Sequence, residues 1–240
     1  MKLYFKPVVA LVFFVFINFS TLFAKDFKEA YVVEIGKIDI GKLFWDVNIS
    51  NDNYKILIKL KSKGLLSKLY KFEGSYETNG SVVKGSLMPV KYKQFWLTKN
   101  KRREVEITFN NRSIIGLEIF PHEKEHARVE YAEIKDHFDP LSSFLNILIG
   151  KKKSKTIDGR RVYSMVVKKQ DFYMTEENNT NFFVTSSKIL IEDYVNIWAD
   201  HKRNDLEYVE IKQEHGEGSF SMPEVIKIKF KGLLYKLRRI

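Results

Sequence analysis

Long stretches of this chain alternate, residue by residue, between apolar and charged side chains, and that period of two limits its possible folds more than any other feature. In Tyr54-Lys55-Ile56-Leu57-Ile58-Lys59-Leu60-Lys61 the even positions are apolar and three of the four odd ones are lysine. Glu104-Val105-Glu106-Ile107-Thr108-Phe109 and Ile226-Lys227-Ile228-Lys229-Phe230-Lys231 repeat the rhythm. Successive side chains of a strand point to opposite faces, so each segment buries one face and wets the other. An antiparallel sheet with one solvated side has this pattern.

Glycine and Asn/Asp clusters punctuate the strands at Gly36, Ser50-Asn51-Asp52-Asn53, Asn79-Gly80, Asn110-Asn111 and Asp158-Gly159. Asn-Gly and Asp-Gly tolerate the positive φ of tight hairpins and are read as turns, which divides the chain into about ten strands. One segment breaks the rhythm. Between Asp139 and Gly150 the apolar residues Leu141, Phe144, Leu145 and Leu148 recur at helical spacing. Asp139 is suited to cap, Pro140 to the first turn and Gly150 to the stop, with Lys151 to Lys153 complementing the dipole. A helix over about 140–149 is expected, too apolar to stand alone. There is also an internal echo: Leu57 to Leu69 aligns without a gap to Val225 to Leu237, both running through Lys-Gly-Leu-Leu. It suggests two pseudo-equivalent β units flanking the helix, with each glycine at a bend or bulge.

Residues Met1 to Ala24 read as a secretory signal peptide. Lys2 and Lys6 precede an uncharged run from Val8 to Ile17, and a more polar stretch ends at Ala24. The run is closer to a signal core than to the roughly 20 residues needed to span a bilayer, so cleavage after Ala24 is expected rather than retention as an anchor. Residues 25–240 then form a single β-rich domain. The chain has no cysteine. That excludes lipoprotein processing, thiol catalysis and disulfide stapling, so the fold rests on its core. Net charge is +11; the leader holds two lysines and no acid, leaving +9 for the remainder. Export argues against nucleic acid, and the lysines are scattered through strands rather than blocked. A solvated face is the first reading and an anionic envelope surface the second.

His122-Glu123-Lys124-Glu125-His126 matches the zinc-protease pattern His-Glu-x-x-His. That pattern works only on a packed helix, which sets both histidines on one face with the glutamate near the metal-bound water. Here it follows Pro121, and strand-like alternation resumes at Ala127, Val129 and Tyr131. It is read as a loop. His137, His201 and His215 lack ligand spacing. There is no Gly-x-Ser-x-Gly elbow, and no phosphate-cradling loop. No catalytic, cofactor-binding or metal-binding residue is therefore nominated, although carboxylates can still assemble in space. The aromatics Trp45, Tyr70, Phe72, Tyr76, Tyr92, Phe95, Trp96, Tyr163, Phe172, Tyr173 and Trp198 exceed what any motif accounts for. Core packing explains most of them, and the lining of an apolar concavity is the sharper alternative.

Several landmarks together resemble the bacterial domain-of-unknown-function 3108 family. They are Gly36-Lys37-Ile38-Asp39-Ile40-Gly41, the strand entering Gly64-Leu65-Leu66, Asp139-Pro140-Leu141-Ser142, Asp158-Gly159-Arg160-Arg161-Val162-Tyr163, and Pro223. The resemblance implies an exported, β-dominated periplasmic protein without established catalytic residues. It makes the segment holding His122 to His126 a variable connection, and it fits poorly from Asn178 to Asp193.

The expected architecture is mainly β: a curved antiparallel sheet forming an open or incomplete barrel, with one short helix packed on it. The expected function is non-enzymatic, in binding or cell-envelope maintenance, with an apolar concave face for a lipid-like ligand or a partner. The alternatives are a hydrolase or transferase with spatially assembled carboxylates, and a small outer-membrane β-barrel.

Overall fold

The protein is described by a computed structural model over residues 25–63, 67, 71–177, 180–198, 205–215 and 221–240. The leader, Tyr70, His201 and much of the first Lys-Gly-Leu-Leu segment lie outside these residues. In chain order the strands are β1 (Lys25–Ile35), β2 (Ile38–Ile49), β3 (Asn53–Ser62), β4 (Phe72–Val83), β5 (Ser86–Thr98), β6 (Arg102–Asn110) and β7 (Ser113–Phe120). A connection holding a 3-10 turn at Tyr131–Glu133 and helix α1 (Pro140–Leu148) follows. Then come β8 (Lys153–Ile157), β9 (Arg161–Glu177), β10 (Thr180–Asn196), β11 (Leu206–His215), β12 (Val225–Phe230) and β13 (Leu233–Arg239).

All thirteen strands join in one antiparallel sheet, ordered β7-β6-β5-β4-β3-β2-β1-β13-β12-β11-β10-β9-β8. Two meanders therefore meet where β1 pairs with β13, Tyr31 opposite Arg239 and Ile35 opposite Tyr235. Alternation decides the faces. In β3 Tyr54, Ile56 and Ile58 are buried while Lys55, Lys59 and Lys61 are exposed. In β2 Leu43, Trp45, Val47 and Ile49 point inward.

The turns do not all fall where glycine and asparagine suggest. Asn79-Gly80 lies inside β4, where the register with β5 shifts. A Cβ on Gly80 would sit 2.0 Å from the Met88 carbonyl oxygen, so glycine here permits a close cross-strand approach. The chain reverses later, at Lys84-Gly85, with φ of 50° and 71°. The second Lys-Gly of the echo is likewise a hairpin turn, Lys231-Gly232 at φ 51° and 76°, and not a bulge. Hairpins closed by lysine and glycine are part of why the sheet has thirteen strands and not about ten. The echo aligns β3 with β12, which occupy different positions within their meanders.

The sheet curls until its two ends face each other. Helix α1 packs on β8 and β9 from one end and on β4 and β5 from the other. The turn between β8 and β9 reaches across as well, since a Cβ on Gly159 would meet Val105 of β6 at 2.4 Å. Edge strands β7 and β8 do not pair with each other. The connection between them fills the seam instead. Lys135 bridges to Ser113 of β7, and Phe138 bridges to Thr156 of β8. Backbone hydrogen bonds from Asp136 to Arg112, Phe138 to Lys155 and Ile157 to Phe138, each 2.9 Å, complete it. The result is the incomplete barrel that the alternation and the single helix imply.

Candidate functional site

The interior of the barrel is occupied by the chain's own helix. Every α1 residue after Pro140 is buried. Leu141, Phe144, Leu145, Ile147 and Leu148 join the core, each contributing ~1.5–3 kcal/mol of apolar burial. Trp45 of β2 stacks on Phe144 with ring centroids 5.6 Å apart. The polar side of the helix is buried too, and it is matched group by group. Asp139 accepts from the amides of Leu141 (2.9 Å) and Ser142 (3.1 Å), from the Ser142 hydroxyl, and from Thr78 Oγ1 of β4 (3.0 Å). Tyr54 lies 2.6 Å from Ser142 Oγ. Asn146 forms a two-way pair with β5: Leu87 N donates to its Oδ1 (2.9 Å) and its Nδ2 donates to Leu87 O (3.1 Å). Ser143 meets Thr156 (2.8 Å) and Ser154 (3.1 Å) of β8.

Burial outweighs the hydrogen bonds at Asp139 and holds its carboxyl above the usual carboxylate range. Desolvation, helped by the nearby Asp139, pushes the Tyr54 hydroxyl well up. A buried carboxyl ringed by donors often marks a catalytic group. This one caps a helix and ties it to β4, while Ser142 beside it ties the helix to β3, which is an anchoring role. Most of the concave apolar face expected from the aromatics is thus a packed core.

Among the described residues the concave face is uncovered where β9 and β10 run past β8. β8 pairs only with Val162 to Val166 of β9, so β9 and β10 run on past it. Along β10, Ile189, Ser187 and Thr185 are buried and share a face with Val209, Ile211 and Gln213 of β11. Two further steps along that face bring Phe183, opposite Met174, while Phe172 stands opposite Thr185. Phe172, Phe183 and Met174 are 74%, 63% and 60% exposed. Tyr173, on the other face of β9, is 44% exposed. Phe172 and Tyr173 are among the aromatics left unexplained by the sequence. Met174 and Phe183 gave no signal, because their exposure depends on where β8 stops.

The outer wall is charged. Cross-strand ion pairs run over it: Lys55–Glu77 (2.8 Å), Lys93–Glu106 (3.0 Å), Lys188–Glu210 (3.4 Å), Lys227–Glu210 (3.7 Å) and Arg238–Glu34 (3.2 Å). Much of the lysine excess therefore faces solvent beside glutamate, each exposed pair contributing ~0–1 kcal/mol. An open groove of about 660 Å³ follows β4 to β7, lined among others by Lys93, Glu104, Glu106, Glu118 and Phe120. Arg102 lies over the rings of Phe120 (5.5 Å) and Phe95 (5.9 Å) at its edge. His122 reaches this groove, but residues 122–126 form bends and open coil, so the two histidines share no helical face. Glu123 is held by Arg160 at 2.7 Å. No cluster of three metal-ligating side chains occurs among the described residues.

Carboxylates do assemble in space: Asp158 and Asp205 share Arg161 at 3.1 and 3.6 Å, and a second pair lies beside β11. Glu214 of β11 and Glu224 before β12 share Lys212, at 3.6 and 2.8 Å. Desolvation, with Glu224 alongside, raises the Glu214 carboxyl, while the hydrogen bond from Lys212 lowers that of Glu224. Lys212, with Arg239 at longer range, offsets the charge of this pair.

Comparison with known proteins fits this picture. The family described as "Protein of unknown function (DUF3108)" matches residues 30–185. No curated protein matches the chain. Among solved structures it is similar to a β-barrel-like protein of the domain of unknown function DUF1849 from Brucella abortus. The TM-score is 0.53 at 9% identity, over 91% of this chain and 97% of that one. At that identity the likeness concerns the fold alone.

Proposed function

This chain belongs to the DUF3108 family of proteins of unknown function, and from that premise we propose that it is an exported periplasmic protein that acts by binding rather than by catalysis. One observation carries the reading. The core is complete, yet Phe172, Met174 and Phe183 continue its apolar face into solvent. Clustered apolar groups that a monomer leaves exposed mark interaction sites. The site takes a lipid-like ligand or the apolar surface of a partner, laid on the overhang of β9 and β10. The leader, with its positive start and short apolar core, supports delivery to the periplasm and removal after Ala24. Ion pairs along the outer wall support a water-facing barrel, since the exterior of an outer-membrane barrel must be an apolar band.

The test is extraction of the protein from its native periplasm, followed by mass spectrometry of what co-purifies. The wild type is expected to carry a reproducible apolar molecule or partner, and Phe172→Ser combined with Phe183→Ser is expected to lose it with an unchanged near-ultraviolet circular dichroism spectrum. A wild-type protein that emerges bare, or a variant that keeps its cargo, overturns the reading. Release by osmotic shock with Lys25 as the first residue checks the address; release only by detergent contradicts it.

A further inference from the structure

The overhang of β9 has a free edge as well as a free face, and the order of its charges says what fits that edge. β10 pairs continuously with Lys169 to Glu177 on one side. On the other side the pairing with β8 stops at Val166, opposite Lys153, and among the described residues no strand follows. The last backbone bond on that edge runs from Val167 N to Lys152 O (2.9 Å). The lone register shift of this outer stretch falls at its base, beside Lys188 and Ile189, so the rest is regular strand. An unpaired regular edge is a template for another strand, and soluble proteins usually blunt it with proline, bulges or shortness. None of these interrupts Gln170 to Glu177.

The edge reads Lys168-Lys169-Gln170-Asp171-Phe172-Tyr173-Met174-Thr175-Glu176-Glu177. It is basic at one end, apolar in the middle and acidic at the other. A strand of that kind is its own antiparallel complement. We propose that β9 pairs with β9 of a second copy, forming a two-fold dimer in which the two sheets become continuous. The axis of such a pair stands perpendicular to the sheet, so opposed residues must share a face and their numbers must have equal parity. An axis at Phe172 sets Phe172 against its copy and Gln170 against Met174, and brings the basic end, where Lys168 is the extra residue of the register shift, beside Glu176. An axis at Tyr173 sets Lys169 against Glu177 and Phe172 against Met174. Either way the basic end meets the acidic end, whereas parallel pairing would set like charges side by side. In the single copy Lys169 is paired with Asp171 (2.9 Å) and Lys168 with Glu192 (2.7 Å), both exposed contacts that are easily exchanged. The same geometry puts both concave faces on one side, so the exposed Phe172, Met174 and Phe183 of the two copies form one apolar strip. The proposal rests on the strand edge and its charges, and holds whether or not a ligand is bound.

The test uses sedimentation equilibrium of the chain purified from cells. The wild type is expected to dimerise. Lys168→Glu with Lys169→Glu makes both ends of the edge acidic, and Glu176→Lys with Glu177→Lys makes both ends basic. Each double variant alone is expected to weaken dimerisation by about tenfold or more, because like charges then oppose at both ends. Mixing the two is expected to restore a dimer, as a heterodimer, which loss of folding cannot mimic. The chain has no cysteine, so Phe172→Cys or Tyr173→Cys gives an unambiguous oxidative cross-link at whichever residue lies on the axis. A monomeric wild type, dimers that persist in both double variants, or a mixture that stays monomeric each overturns the proposal. So does a monomer that instead takes up an extended peptide on this edge.

Discussion

The pair between Asn146 and Leu87 gives the sharpest test of how the helix is held inside the barrel. Asn146 is fully buried, and its amide treats the Leu87 backbone as a neighbouring strand would, accepting from N–H and donating to C=O. Asn146→Ala leaves both groups of a fully buried residue without that partner. Each orphaned backbone group costs about 1–3 kcal/mol, so a loss of roughly 2–6 kcal/mol is expected. With a slope of about 2 kcal/mol per molar, that moves the urea midpoint down by about 1–3 M. Trp45, stacked on Phe144 of the same helix, reports the transition by its fluorescence. Asn146→Asp separates hydrogen bonding from packing. The aspartate keeps the size and can still accept from Leu87 N–H, but ionised it turns an acceptor towards Leu87 O. Its pKa in the folded state must therefore rise above the unfolded value near 4. Stability of this variant then falls as pH rises from about 4 through the folded pKa, and returns as the carboxyl is protonated and can donate. An alanine variant within about 0.5 kcal/mol of wild type, or an aspartate variant with the pH profile of the parent, would refute the reasoning.

Two further perturbations follow from the same geometry. Asp139 is held above the usual carboxylate range by burial, so the folded state keeps this proton to higher pH than the unfolded chain, and its contribution to stability declines as pH rises above about 4. Asp139→Asn retains an acceptor for Leu141 and Ser142 and removes that decline; the difference between wild-type and variant stability, measured by denaturation from acid to neutral pH, should shift in favour of the variant as pH rises, and a flat difference contradicts the assignment. Gly80→Ala forces a Cβ against the Met88 carbonyl at 2.0 Å and should cost about 1–3 kcal/mol. Gly116→Ala, whose Cβ would make only an ordinary 3.6 Å contact with Thr108, should cost markedly less by the same thermal melt, and equal losses would show that the close approach is not what glycine is there for.

Local chemistry is what the residues themselves determined. Alternation along β2, β3 and β6 decides which side chains face inward, because side-chain direction in a strand has a fixed period of two. Asp139, Pro140 and the spacing of Leu141, Phe144, Leu145 and Leu148 decide the helix, because capping and helical periodicity are read within a dozen residues. Only the tertiary structure decided what the chain could offer a partner. Asn79-Gly80 has the composition of a turn, yet the strand carries through it because the distant Met88 backbone needs the space. Phe172, Met174 and Phe183 have the composition of core, yet they lie in solvent because β8 begins only at Lys153, opposite Val166, and leaves them uncovered. Whether an apolar face becomes core or surface depends on which distant segment lies against it, and no local pattern encodes that partner.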